Sequence, residues 1–188
     1  MIINHKNIKI IPLLTFVSLV FCFANSKAQT NQIRQIKLSW SLFTRTNKNN
    51  LPYIAYTAHK TMYKYRAIEK GGKVQLKFEV AVMLDTPNTL INLQRLKGLT
   101  TEAQTHLLNH EQLHTDMAVI YGRLLYRRLS MEAYTPKNFK TKTREIYLAL
   151  MKELAEQNFS YDVDTEHGFN LEKQQLWDEK VKKLLSAI

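Results

Sequence analysis

The chain has 188 residues, 27 Lys+Arg against 16 Asp+Glu for a net charge of +11, 45% hydrophobic residues, one Cys and five Gly. That length and apolar content suit one folded domain and exclude a disordered chain. A single Cys excludes a disulfide framework and any multi-Cys zinc or iron–sulfur site, and so few Gly leave no phosphate-cradling loop.

Residues 1–28 read as a secretory signal peptide. Lys6 and Lys9 form a basic start, Ile10 to Ala24 is nearly continuous apolar sequence, and Ser26-Lys27-Ala28 gives the small-x-small pattern of a cleavage site after Ala28. The apolar stretch is short for a membrane span, which needs about 20 residues. The sequence therefore predicts an exported protein, periplasmic or secreted. Cleavage removes Lys6, Lys9 and Lys27, no acid, and Cys22, so the +11 chain becomes a +8 chain without cysteine.

Strands are predicted first. Ile36, Leu38, Trp40 and Leu42 alternate with polar residues, the period of a half-buried strand. Asn47 to Asn50 reads as a polar turn. Tyr53 to Ile68 is rich in Tyr, Thr and Ile and reads as one or two strands. Gly71-Gly72 signals a hairpin, and Val74 to Leu84 is the longest alternating run in the chain. Short connections favour antiparallel pairing. Asp85 to Thr100 reads as a loop.

From Thr101 the period becomes helical. Thr101 and Gln104 suggest a capping box, and Leu107, His110, His114, Met117, Tyr121 and Leu125 share one face of a helix reaching about residue 132. A second helix is predicted over Lys140 to Gln157, a loop over Asn158 to Asn170, and a last helix over Leu171 to Leu185. Strands followed by helices predict a single α+β domain over 29–188, mainly β over 29–100 and mainly α over 101–188. The expected architecture is an antiparallel sheet followed by about three helices.

One motif carries chemistry. His110-Glu111-Gln112-Leu113-His114 is an HExxH sequence inside the first long helix. Two imidazoles one turn apart, about 6 Å along the axis, can reach one Zn²⁺ at about 2.0–2.1 Å per bond. Glu111 beside them suits a general base acting on zinc-activated water. His106 extends the series but lies too far from His114 to share the ion, and His59 and His5 carry no signal. A third ligand must come from elsewhere. The extended pattern HExxHxxGxxH fails, because Met117 and Ile120 stand at the Gly and His positions. Glu145 and Glu153 on the next helix are candidates. So is the stretch Tyr161-Asp162-Val163-Asp164-Thr165-Glu166-His167-Gly168, which concentrates acids and a His in a basic chain.

The ordered set His110-Glu111-Gln112 with His114, then Tyr161-Asp162, Thr165, His167-Gly168, then Gln174 and Trp177, resembles a family of bacterial secreted proteins regarded as zinc-dependent proteases and otherwise of unknown function. Trp40 and Ala55-Tyr56-Thr57 are similar to that family's N-terminal part, while Thr115 departs from the expected aromatic. The resemblance implies a zincin-like fold and a peptidase acting on a peptide or other amide, with His167 as third zinc ligand. It also implies Asp162 as an orienting partner and Tyr161 as an oxyanion donor. Trp177 and Gln174 read as packing residues. The competing expectation is a non-catalytic envelope protein that binds an anionic surface through basic helices, with Arg123, Arg127, Arg128 and residues 137–144 as its clusters. Export disfavours nucleic acid in either case. The sequence leaves the oligomeric state open.

Overall fold

The computed structural model describes residues 33–46 and 52–188. The signal-peptide reading and the turn at 47–50 fall outside those residues. The described chain is α+β: strands β1 (Thr44–Thr46), β2 (Ala55–Tyr56), β3 (His59–Lys70), β4 (Lys73–Leu84) and β5 (Leu90–Asn92), then helices α1 (Leu93–Lys97), α2 (Thr101–Met131), α3 (Phe139–Thr165) and α4 (Leu171–Ala187). None of these helices is long and apolar enough to cross a membrane.

The long hairpin forms where alternation predicted it. β3 and β4 pair antiparallel from His59↔Leu84 to Lys70↔Lys73, and the two-residue turn at Gly71-Gly72 has φ of 58° and 73°, which only the absence of a Cβ makes cheap. Phe78 and Val80 on its inner face join Val119, Leu125 and Leu129 of α2 and Leu150 of α3 in the main core. α2 sits close to the hairpin at Gly122, where a Cβ would meet Val82 Cγ2 at 2.3 Å. Residues Thr115 to Ile120 of α2 are all buried, as expected of a helix covered on every side.

A second sheet was only half legible. It runs β1-β5-β2, with β1 parallel and β2 antiparallel to β5, so the sheet is mixed rather than antiparallel throughout. β5 and α1 occupy the predicted 85–100 loop. Three residues are too short a run to show a period, and Ile91 and Asn92 are buried by tertiary contacts alone. Asn92 then caps α1 by accepting from the Arg95 N–H at 3.0 Å. β2 is an edge strand on the side away from β1.

The predicted strand at 36–42 is a correction. The segment is irregular, with a 3-10 turn at Trp40–Leu42, although Leu38 is buried as the alternation requires. Instead of a neighbouring strand, the Gln112 amide of α2 pairs with it: Nε2 donates to Ile36 O and Oε1 accepts from Leu38 N, both at 2.8 Å. One side chain thus satisfies the backbone groups that a ladder would have satisfied.

The predicted loop at 158–170 is the other correction. α3 runs on to Thr165, because neither Gly nor Pro interrupts it before Gly168. It ends in three consecutive left-handed residues, Glu166 (φ 51°), His167 (φ 55°) and Gly168 (φ 88°), with the His167 N–H returning to Asp162 O at 2.9 Å. Helical periodicity therefore puts Asn158, Asp162 and Thr165 on one face, one turn apart. α2 caps one residue earlier than predicted, at Thr100, whose side chain accepts from Ala103 N.

Candidate metal centre

His110 and His114 project from one face of α2, and α3 sets Asp162 against both. Asp162 Oδ1 lies 3.2 Å from His110 Nε2 and 3.0 Å from His114 Nε2. One donor atom from each of the three residues falls within a span of 4.8 Å. Donors held tetrahedrally at about 2.0–2.1 Å from a common ion are about 3.3 Å apart, so both contacts have the length of a coordination edge.

The outer nitrogens of the two rings are fixed by the other helices. His110 Nδ1 meets Gln174 Oε1 of α4 at 3.2 Å. The orientation of that amide follows from its nitrogen, which donates to Asp178 Oδ1 at 2.8 Å, an acceptor only. His114 Nδ1 meets Asn158 Oδ1 at 2.9 Å. With both Nδ1 atoms carrying the ring proton, both Nε2 lone pairs point at a carboxylate oxygen. Three lone pairs converging on one point require a positive charge between them. A proton is one answer. Burial, the largest influence, pushes the His114 pKa down, but hydrogen bonding to Asp162 and the charges of Glu111 and Asp162 outweigh it and raise it overall. Burial likewise pushes Asp162 up, and the two histidines more than reverse this, holding it well below the usual carboxylate range. A divalent cation answers the same convergence with both imidazoles neutral. Two imidazoles and a carboxylate suit zinc and also iron(II).

Glu111 is 4% exposed and lines the same cleft, and its Oε2 accepts from Thr57 Oγ1 at 2.8 Å. One carboxylate oxygen is thus held and the other is left for a water or substrate. His59, dismissed on sequence, also lines this cleft. Thr115 donates to the Glu111 carbonyl at 3.2 Å, so its oxygen accepts from His59 Nε2 at 3.0 Å. Burial first, and the nearby His114 second, lower the His59 pKa to about 4, which keeps this imidazole neutral near pH 7.

The remaining candidates have other places. The His167 side chain is 74% exposed, with Nδ1 3.7 Å from Asp162 Oδ1; it stands at the rim of the cleft and outside the three-residue cluster. Its neighbour matters more: a Cβ on Gly168 would come within 3.0 Å of His110 Cβ and 3.1 Å of its Cγ, so the turn can press on the ring only as glycine. Tyr161, expected to face an oxyanion, is fully buried. Its ring stacks on His110 with centroids 4.5 Å apart, and its hydroxyl is engaged by His110 O and the Gln174 amide. Burial raises its pKa and keeps it a neutral phenol. Glu145 and Glu166 are exposed, and Glu153 pairs with Arg128 at 3.0 Å. His106 is a surface residue 3.7 Å from Glu102.

The contacts of Asn158, Gln174 and Thr57 are not legible in the sequence. Asn158 and Asp162 repeat the four-residue spacing of His110 and His114, a signal visible only once 158–165 is read as helix. Gln174 was read as packing and instead holds His110. Thr57 stands only in the Ala55-Tyr56-Thr57 resemblance, which assigns it no role. Of the cations read as an anion-binding surface, Arg123 donates to Ile33 O and Leu185 O, Arg128 pairs with Glu153 and Lys142 with Glu132.

The cleft has a volume of about 530 Å³ and runs from His110, His114 and Asp162 to the edge strand β2. The Ile54 carbonyl accepts from Asn92 N at 2.8 Å. The antiparallel alternation then turns the backbone groups of Ala55 away from β5, toward the side of β2 that no strand among the described residues pairs with.

Residues 27–168 match the family model described as "Bacterial protein of unknown function (DUF922)". The match ends at Gly168, so Gln174 and Trp177 lie beyond it. No curated protein matches the chain, and no solved structure does.

Proposed function

The chain belongs to the bacterial DUF922 family of unknown function, and we propose that it is an exported, zincin-like metallohydrolase, a zinc peptidase that cleaves an amide bond in an extended peptide. One observation carries this reading: the Nε2 atoms of both histidines of an HExxH helix lie 3.2 and 3.0 Å from Asp162 Oδ1, with the Glu111 carboxylate in the same cleft. In this reading His110, His114 and Asp162 hold the metal, with Asp162 taking the place expected for His167.

When bound, zinc supplies Lewis-acid polarisation of the scissile carbonyl and makes water a nucleophile at neutral pH. The chain's own residues do the rest. Glu111, aimed by Thr57, takes the water proton and returns it to the leaving amine. Asn158 and Gln174 hold the imidazoles in the tautomer that presents Nε2. The Ala55 backbone at the edge of β2 can pair with an extended peptide and lay it across the cluster. Tyr161 takes no part in stabilising an oxyanion, since its hydroxyl is buried and bonded.

The experiment is metal analysis of the purified chain together with peptide hydrolysis. Glu111→Gln is expected to keep one equivalent of zinc and lose hydrolysis by at least about 10²-fold, the lower end of the range for a positioned acid–base group. A chain that binds no stoichiometric divalent metal ends this proposal, and iron rather than zinc would end the hydrolytic part of it.

A further inference from the structure

A second cavity opens off the metal cleft. Its volume is about 250 Å³, less than a typical small-molecule site and enough for one large side chain. It shares Ile54, Leu107, His167 and Phe169 with the metal cleft, so the two adjoin beside the left-handed turn that ends α3. Leu99 and Ala103, at the start of α2, form its far wall.

The chemistry of this cavity is apolar. Its one carboxylate, Glu102, has a side chain 85% exposed, and the pocket offers no buried charge to a ligand. At its mouth Phe169 is 75% and Leu171 52% exposed, large apolar residues left in water where burying them would be favourable. Its position is equally specific. Ile54, immediately before β2, is held to β5 through its carbonyl, which accepts from Asn92 N at 2.8 Å, and it lines both cavities. A peptide lying in the metal cleft therefore passes beside this cavity, along the residues the two share.

We propose that this cavity holds a single large apolar side chain of the peptide, and that the substrates are therefore extended polypeptides with Leu, Phe or a similar residue next to the bond attacked. This rests on the peptidase reading of the metal cleft. Selection would come from burial of that side chain, which is non-directional and tolerates any apolar residue of fitting size.

Affinity separates the pocket from the chemistry. The probes are N-acetyl hydroxamates of Gly, Leu and Phe, titrated against the purified, zinc-loaded chain by calorimetry. The Leu and Phe compounds are expected to bind at least tenfold tighter than the Gly compound. Ala103→Trp, which fills the cavity, is expected to erase that preference with metal content unchanged. Leu99→Ala, which enlarges it, is expected to shift preference toward a Trp hydroxamate. Equal affinity for all three compounds, or a preference that survives Ala103→Trp, overturns the pocket and leaves the metal reading standing. A chain that takes up no zinc overturns both.

Discussion

The two halves of α2 are built on opposite principles. From Met117 to Leu129 it is an apolar wedge: Val119, Leu125 and Leu129 meet the hairpin and α3 in a core of aliphatic and aromatic side chains. From His110 to Asp116 it buries the polar side chains of His110, Glu111, Thr115 and Asp116. The apolar half is held by burial, which is non-directional and forgiving of substitutions of equal volume. The polar half is held by directional bonds, each donor with a single correct acceptor, and no buried polar side-chain atom among the described residues lacks a partner. A change of one atom there should cost function more than stability, and a change in the wedge the reverse.

The sharpest separation is at the cluster. Asp162→Ala should abolish stoichiometric metal binding, while His167→Ala should leave it intact; inductively coupled plasma analysis of both variants decides between the two ligands. If His167→Ala loses the metal and Asp162→Ala keeps it, the observed geometry misassigns the third ligand. Next come the residues that hold the rings. Gln174→Leu and Asn158→Leu each remove the partner of an Nδ1–H, and such changes typically weaken metal affinity by about 10- to 100-fold, measurable by chelator competition.

In the wedge, Leu150→Ala empties a fully buried site and should lower unfolding free energy by about 2–5 kcal/mol without altering metal affinity. Gly122→Ala sets a methyl against Val82 and should cost about 1–3 kcal/mol by overpacking, again with metal affinity unchanged. Urea denaturation of the metal-free chain, paired with chelator competition on the folded chain, reads both quantities. If either variant weakens the metal as much as Gln174→Leu does, the two halves are not independent.

The smallest effect concerns His59. Its folded pKa of about 4 lies below the ordinary value near 6.5. Between those values the unfolded chain binds the proton and the folded chain does not. Its contribution to stability is therefore full above about pH 6.5 and is lost as pH falls toward 4. His114 has the opposite sign, since its raised pKa makes protonation favour the metal-free fold. Melting temperatures of metal-free protein at pH 7 and pH 5 should fall less in His59→Gln than in the parent chain. An equal fall in both would show that burial of this imidazole carries no such penalty.

The elements that the sequence revealed best are those with a long period and a local cause. The hairpin was visible because alternation runs without a break to Gly71-Gly72, and α2 because its apolar face repeats over many turns. The strand predicted at Ile36 to Leu42 has the right alternation but no neighbouring strand, and a glutamine takes that role. β5 is shorter than any period, and its burial is decided by β1 and β2 on either side. The site divides the same way. His110, Glu111 and His114 are fixed by one helical turn and were legible. Asp162 lies in the stretch the sequence singles out, but reading 158–170 as loop hides the register that sets it against both histidines.

By itself, then, the sequence determined the α+β order, the long hairpin and the helix that carries two histidines and a glutamate, because each depends on contacts within a few residues. Only the tertiary structure decided that Asp162 stands against both histidines, that Gln174 and Asn158 meet their outer nitrogens, that Thr57 holds Glu111, and that Gly168 packs on His110. Those contacts join α2 to the residue after β2, to α3 and to α4 across 44 to 64 residues of chain. Periodicity says which face of a helix is buried, but not which partner's atoms it will meet there.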